Sequence, residues 1–157
     1  MAKKEIRDLL VGHPFFDGMD PAIIDMIAGC GKNVLFHAGE HLAERDKEAD
    51  CFYAIRHGTV ASELHVPPAG RVTIQTARAG EIVGWSWIFP PYRWSVDLRA
   101  TELVRAVHFD AACLKKKCED DPATGYDIMK RFATLLGKLI DATQLQLMDI
   151  YGSRPGR

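Results

Sequence analysis

The sequence predicts a mainly β domain with flanking helices, on three observations. Residues 1–31 carry helix start and stop signals, residues 32–109 break into short apolar runs separated by glycine or proline turns, and residues 110–151 return to helical periodicity. Short strands at such spacing point to a sandwich or a barrel. The 157 residues fit one domain, with 152–157 read as a frayed tail. Hydrophobic and charged fractions of 47% and 26% are ordinary for a globular chain and exclude a disordered, fibrous or multi-pass membrane protein. Twenty Lys and Arg oppose 21 Asp and Glu, a net charge of −1, so no global attraction to nucleic acid or an anionic membrane is expected.

Each element has its own signal. Glu5 to Val11 predicts a short helix stopped by Gly12-His13-Pro14. Asp20-Pro21 sets a capping side chain before a proline at the first helical position, and Gly29 and Gly31 end the helix carrying Ile23, Ile24, Met26 and Ile27. Strand-like runs follow: Val34-Leu35-Phe36, Cys51 to Ile55, Thr59 to His65, and the alternating Arg71 to Ala77. Trp94, Val96, Leu98 and Ala100 alternate with polar residues and predict an inward-facing set, and Val104 to Phe109 reads as the last strand. Asp110 caps a helix to about Cys118, and Asp121-Pro122 starts a long one to about Tyr151. That helix has too many apolar positions for one narrow stripe, so one face is expected on the β domain and another against a second copy.

The N-terminal residues are charged throughout, with no apolar core of a signal peptide, which predicts a cytoplasmic protein. The longest uncharged run, Ile82 to Tyr92, is about half of the ~20 residues a membrane helix needs. Four cysteines (Cys30, Cys51, Cys113, Cys118) at irregular spacings, without a CxxC pair, are expected as reduced thiols.

Phe36-x-x-Gly39-Glu40-x-Leu42, followed by Ala49-Asp50-x-Phe52-Tyr53-x-Ile55-x-x-Gly58-x-Val60, resembles the first half of the cyclic nucleotide-binding domain of Crp/Fnr-type regulators. Gly80-Glu81-Ile82 is similar to the start of that family's phosphate-binding cassette, Arg99-Ala100 to the strand after it, and Asp121-Pro122 to the start of its dimerisation helix. The resemblance covers roughly residues 13–150. It implies a jelly roll (a double-stranded β-helix) over 32–109, short N-terminal helices over 1–31, and two C-terminal helices over 110–151. It also implies a cassette at 80–95, a ligand such as cyclic AMP or cyclic GMP, and a homodimer. In physical terms, a cyclic phosphate is met by N–H groups at a short helix N-terminus and by an arginine, and a buried carboxylate accepts the ribose hydroxyl. Glu81 is the expected carboxylate, and Gly84 to Ile88 the expected short helix. Ligand contacts are therefore expected at Gly80, Glu81, Ile82, Val83, Gly84, Trp85, Arg93, Trp94 and Ser95. Phe132, Leu136, Leu139 and Ile140 are the expected lid or dimer positions on the long helix.

Three departures limit that implication. Counting back from Arg99-Ala100 puts Trp94 at the phosphate arginine and Ser95 at the hydroxyl after it, with Arg93 one residue early: on a strand it faces the other way, in a loop at Tyr92-Arg93 it turns inward. An indole carries one donor and no charge. The cassette packs Trp85, Trp87, Phe89 and Tyr92 around Pro90-Pro91, which either stacks a planar ligand or plugs the site. Leu139 and Ile140 stand where cAMP-responsive activators offer hydroxyls to adenine, and an unpaired base edge costs about 1–3 kcal/mol per group. The chain ends shortly after Tyr151, which argues against a helix-turn-helix and direct DNA binding. His37 and His41 lack companion ligands, so no metal site is expected, and no nucleophile motif points to an enzyme. The sequence thus predicts a ligand-responsive regulatory module read by a partner protein. Its alternative is an interaction or structural module that has lost nucleotide binding, with its pocket filled by tryptophans.

Overall fold

A computed structural model describes residues 3–152. Helix α1 (Lys3–Val11), a 3-10 turn (Pro14–Phe16) and α2 (Pro21–Ala28) precede eight strands. These are β1 (Gly31–Phe36), β2 (His41–Ala43), β3 (Cys51–His57), β4 (Thr59–Val66), β5 (Gly70–Arg78), β6 (Ile82–Val83), β7 (Asp97–Ala100) and β8 (Val104–Asp110). Helices α3 (Ala111–Asp120) and α4 (Pro122–Gly152) complete the chain. The predicted caps are made: Asp20 accepts from the Ala22 N–H at 2.9 Å, and Asp110 from the Cys113 N–H at 2.8 Å. Asp121 accepts from the Ala123 N–H at 3.2 Å and from the Thr124 hydroxyl at 2.8 Å. The tail residues 153–157 lie outside the described residues.

The strands form two four-stranded antiparallel sheets, ordered β1-β8-β3-β6 and β2-β7-β4-β5. This is the mainly β, jelly-roll arrangement with flanking helices that the sequence predicts. Gly58 holds the β3–β4 connection at φ 90°, where a Cβ would run into the Leu103 carbonyl. Two apolar clusters divide the interior. One lies between the sheets, around Ile55, Val60, Leu98, Val104 and Trp94. The other lies between the first sheet and the helices, where Phe52, Phe109, Phe132 and Trp87 meet Ile6, Leu10, Ile27 and Leu114.

Two sequence expectations change here. Cys30 and Cys113 are joined by a disulfide, while Cys51 and Cys118 are free. The partners are 83 residues apart, so no local spacing announces the bond; pairing of β1 with β8 brings them together, with the Asp110 N–H donating to the Cys30 carbonyl at 3.0 Å. The long helix also divides its apolar residues differently. Its first turns bury Thr124, Ile128 and Phe132 in the monomer, so Phe132 is a core residue in T-shaped contact with Phe52 and Trp87.

Candidate functional site

The cassette leaves the first sheet through β6, where Val83 pairs with Tyr53 and Ile82 with Ala54. Gly84 follows at φ 101°, and a Cβ there would lie 2.9 Å from the Trp94 ring. Only glycine lets the chain pass so close to the indole. The segment Gly84–Ile88 is not the short helix expected from the resemblance; it makes one turn, with the Ile88 N–H donating to the Trp85 carbonyl at 3.1 Å. Pro90 and Pro91 explain why it goes no further, because proline lacks an N–H and disfavours the helical region for the residue before it. Trp94 is then pinned from both sides, its N–H donating to the Lys47 carbonyl and its carbonyl accepting from the Asp46 N–H, each at 2.9 Å.

The three tryptophans take three environments. Trp94, 6% exposed, sits between the sheets. Trp87 is buried on the helix side and stacks on Phe52 with centroids 5.4 Å apart. Trp85 is half-buried at the outer edge of the cassette. Beneath the cassette, the space bounded by Val83, Gly84, Ser86, Trp94 and Leu98, together with Ser62, Trp85, Ser95 and Val96, is only about 10 Å³, roughly what one water needs. The route into the jelly roll is closed by an indole.

Outside that plug a larger space opens. A cleft of about 340 Å³ lies between the second sheet and α4. Ser62, Ile74, Gln75, Ser95 and Val96 form one wall, Leu136, Leu139, Ile140, Thr143 and Gln144 the other, and Trp85 also lines it. Gln146 holds the helix over β5 by donating its Nε2 to the Ile74 carbonyl at 2.9 Å. A second cavity of about 340 Å³ shares Trp85 and Leu139 with the first and adds Glu81, Ile82, Val83 and Lys138.

The structure therefore brings together Trp85, Ser95, Leu136, Leu139 and Ile140 from among the expected site residues. It does not bring Arg93 there. That side chain is exposed and donates to the Asp46 carbonyl at 2.9 Å, while its backbone bridges to Glu48. Glu81 is exposed rather than buried, and its carboxylate accepts from the Arg78 N–H at 2.6 Å across a turn. Gly80 lies against Pro14 at the other end of the cassette. Ser62, Ile74, Gln75, Val96, Thr143 and Gln144 were not visible as site residues in the sequence. The helical ones continue the spacing of Leu136, Leu139 and Ile140; the strand ones depend on long-range pairing of β4 with β5 and β7.

No ionisable side chain lines the 340 Å³ cleft. The nearby carboxylate, Glu63, is 2% exposed and follows Ser62 on β4, so it points to the opposite face of the sheet. There Arg99 grips it with two hydrogen bonds of 2.9 and 2.8 Å, which hold its carboxyl below the usual range. Burial pushes the Cys51 thiol up to about 12, which makes it a packing residue rather than a nucleophile.

This architecture can be set against known proteins. The sequence model of the cyclic nucleotide-binding domain matches residues 33–121, more than half of the chain. The chain belongs to the cyclic nucleotide-binding domain family. No curated protein sequence matches it. Among solved structures it is similar to a cyclic nucleotide-binding domain from Methylobacillus flagellatus, at 18% identity and a TM-score of 0.73, covering 99% of this chain and 85% of that one. It is likewise similar to a Geobacter metallireducens protein of the cyclic nucleotide-binding class, at 22% identity and TM-score 0.75, covering 89% and 98%. The sensor domain of the transcriptional regulator DNR from Pseudomonas aeruginosa matches at 15% identity and TM-score 0.67, covering 88% and 93%. At these identities the likeness carries the fold. In this chain the cleft lies between the segment carrying Trp85 and Ser95 and the long helix. No described helix is long and apolar enough to cross a membrane.

Proposed function

We propose that the protein is a ligand-responsive regulatory module, a binding protein rather than an enzyme, in which an occupant of the cleft resets the position of α4. One observation carries this reading: the 340 Å³ cleft is walled on one side by the cassette and sheet and on the other by the long helix. Past Phe132 that helix leaves the core and rests over the second sheet, tied by the Gln146–Ile74 hydrogen bond. A ligand touching both walls has different contacts in each helix position, which is what a population shift requires. Cyclic AMP and cyclic GMP are the first ligands to test, because the family is defined by them. Hydrogen exchange over 136–147 at millimolar cyclic nucleotide reads the coupling. Slowed exchange there is the expected outcome for any nucleotide that gives heat in calorimetry; heat without a change in α4 exchange would refute it.

A second reading has its own observation. Trp94 borders the small interior space below the cassette, so an interaction or structural module without nucleotide binding is the alternative, supported if neither nucleotide nor a neutral apolar probe gives heat or a thermal shift.

The homodimer and a partner protein that reads the helix belong to the proposal too. Leu145 and Met148 are 62% and 66% exposed, and Leu147 is also exposed, which supports a pairing face on the last turns of α4. Changing Leu145 and Met148 to Glu together should give monomers in sedimentation, and an unchanged dimer would move the interface elsewhere. We also propose a cytoplasmic location.

A further inference from the structure

We infer that the cleft takes an uncharged, predominantly apolar small molecule rather than an anion; this rests on the regulatory reading above and names the ligand class of the same site.

The charge pattern is the first argument. A cyclic nucleotide carries a phosphate, and an ion taken from water needs a counter-charge or a dense set of donors. The cleft offers neither a lysine nor an arginine. Arg93 is engaged with the Asp46 carbonyl, and Trp94 occupies the interior position beside Gly84. The adjoining cavity beyond Trp85 holds one cation, Lys138, together with one carboxylate, Glu81, so its formal charges cancel.

The walls are the second argument. Ile74, Val96, Leu136, Leu139 and Ile140 present hydrocarbon, and Trp85 adds an aromatic surface. Water against such walls has few partners, and replacing it with apolar surface is favourable at about 25 cal/mol per Å². Leu139 and Ile140 cannot pair with the edge of a nucleobase. Ser62, Ser95 and Thr143 supply hydroxyls and Gln75 and Gln144 neutral amides, which can orient a few uncharged polar atoms on an otherwise apolar molecule. A volume of about 340 Å³ lies at the small end of ordinary ligand pockets. No histidine, cysteine or methionine lines the cleft, so a haem would find no axial ligand there.

The test uses the full chain and three probes. N-phenyl-1-naphthylamine is neutral and apolar, 8-anilinonaphthalene-1-sulfonate is its anionic counterpart, and cyclic AMP represents the family ligand. Saturable one-to-one binding of the neutral probe, with cyclic AMP giving no heat, is expected. Ser95→Arg puts a cation on an exposed position of the cleft wall. It should weaken the neutral probe about tenfold while strengthening the sulfonate. Ile74→Lys, on the β5 part of the wall, should also weaken the neutral probe about tenfold, with circular dichroism confirming the fold. Neutral-probe binding unchanged by both variants would place it elsewhere and overturn the inference. Binding of cyclic AMP but not of the neutral probe would overturn the ligand class and leave the regulatory reading standing. Binding of none of the three would overturn both.

Discussion

Trp85 and Trp94 stand nine residues apart in the same irregular segment and do opposite things. Trp94 turns inward, packs against Gly84 between the sheets, and leaves about 10 Å³ beneath the cassette. Trp85 stays at the outer edge and helps line about 340 Å³ under the long helix. Both indoles border the small inner space, and only Trp85 reaches the larger one. The difference teaches that an aromatic segment can fill its inner side and still wall a cavity on its outer side, because the long helix supplies a second wall.

Alanine at each position tests that contrast most severely. Trp94→Ala removes a buried indole and should cost about 3–5 kcal/mol, lowering the melting midpoint by roughly 2–4 °C per kcal/mol for a domain of this size. Trp85→Ala should cost less than half as much, since that ring is half-buried, and should instead lose the neutral probe. Equal losses of stability in thermal melts would erase the distinction between plug and wall.

A smaller effect sharpens the same picture at the far end of the cassette. His13 is buried, with its Nδ1 accepting from the Phe15 N–H at 3.2 Å and its Nε2 hydrogen-bonded to the Ile55 carbonyl at 3.1 Å. Burial holds its pKa below the ordinary 6.5. The neutral ring is therefore favoured in the folded state, and its contribution is complete above pH 6.5 and lost as pH falls through the lowered value. Melting midpoints of the wild type should fall more between pH 7.5 and 5 than those of His13→Asn. Parallel slopes would show that His13 carries no such linkage. His108 is shifted in the same direction by burial and by Lys32, and it remains in both proteins, so the difference isolates His13.

What the sequence shows and what it hides follows the range of the forces involved. Caps at Asp20, Asp110 and Asp121 are local chemistry, and all three were legible. The inward set Trp94, Val96, Leu98 and Ala100 was legible as a period of two, even though only Asp97–Ala100 forms a regular strand. That alternation argues for an inward Trp94, whereas the direction of Arg93 stays open because a loop there would free it. The disulfide was hidden because only the β1–β8 pairing brings Cys30 near Cys113. The cleft was half legible: Leu136, Leu139 and Ile140 follow from helical spacing, whereas Ser62, Ile74 and Gln75 enter through sheet register. Phe132 was placed one layer too far out because a 31-residue helix serves two neighbours in succession, and periodicity does not mark the turn at which the neighbour changes.

The Cys30–Cys113 bond has a topological meaning. It closes the whole eight-stranded region, from the start of β1 to the first turn of α3, into one covalent ring, leaving α1, α2 and α4 as arms outside it. Helix α4 lies outside that ring yet rests on it directly, through Phe132 against Phe52 and Trp87 and through the Gln146–Ile74 hydrogen bond, so both of its halves lean on one closed loop.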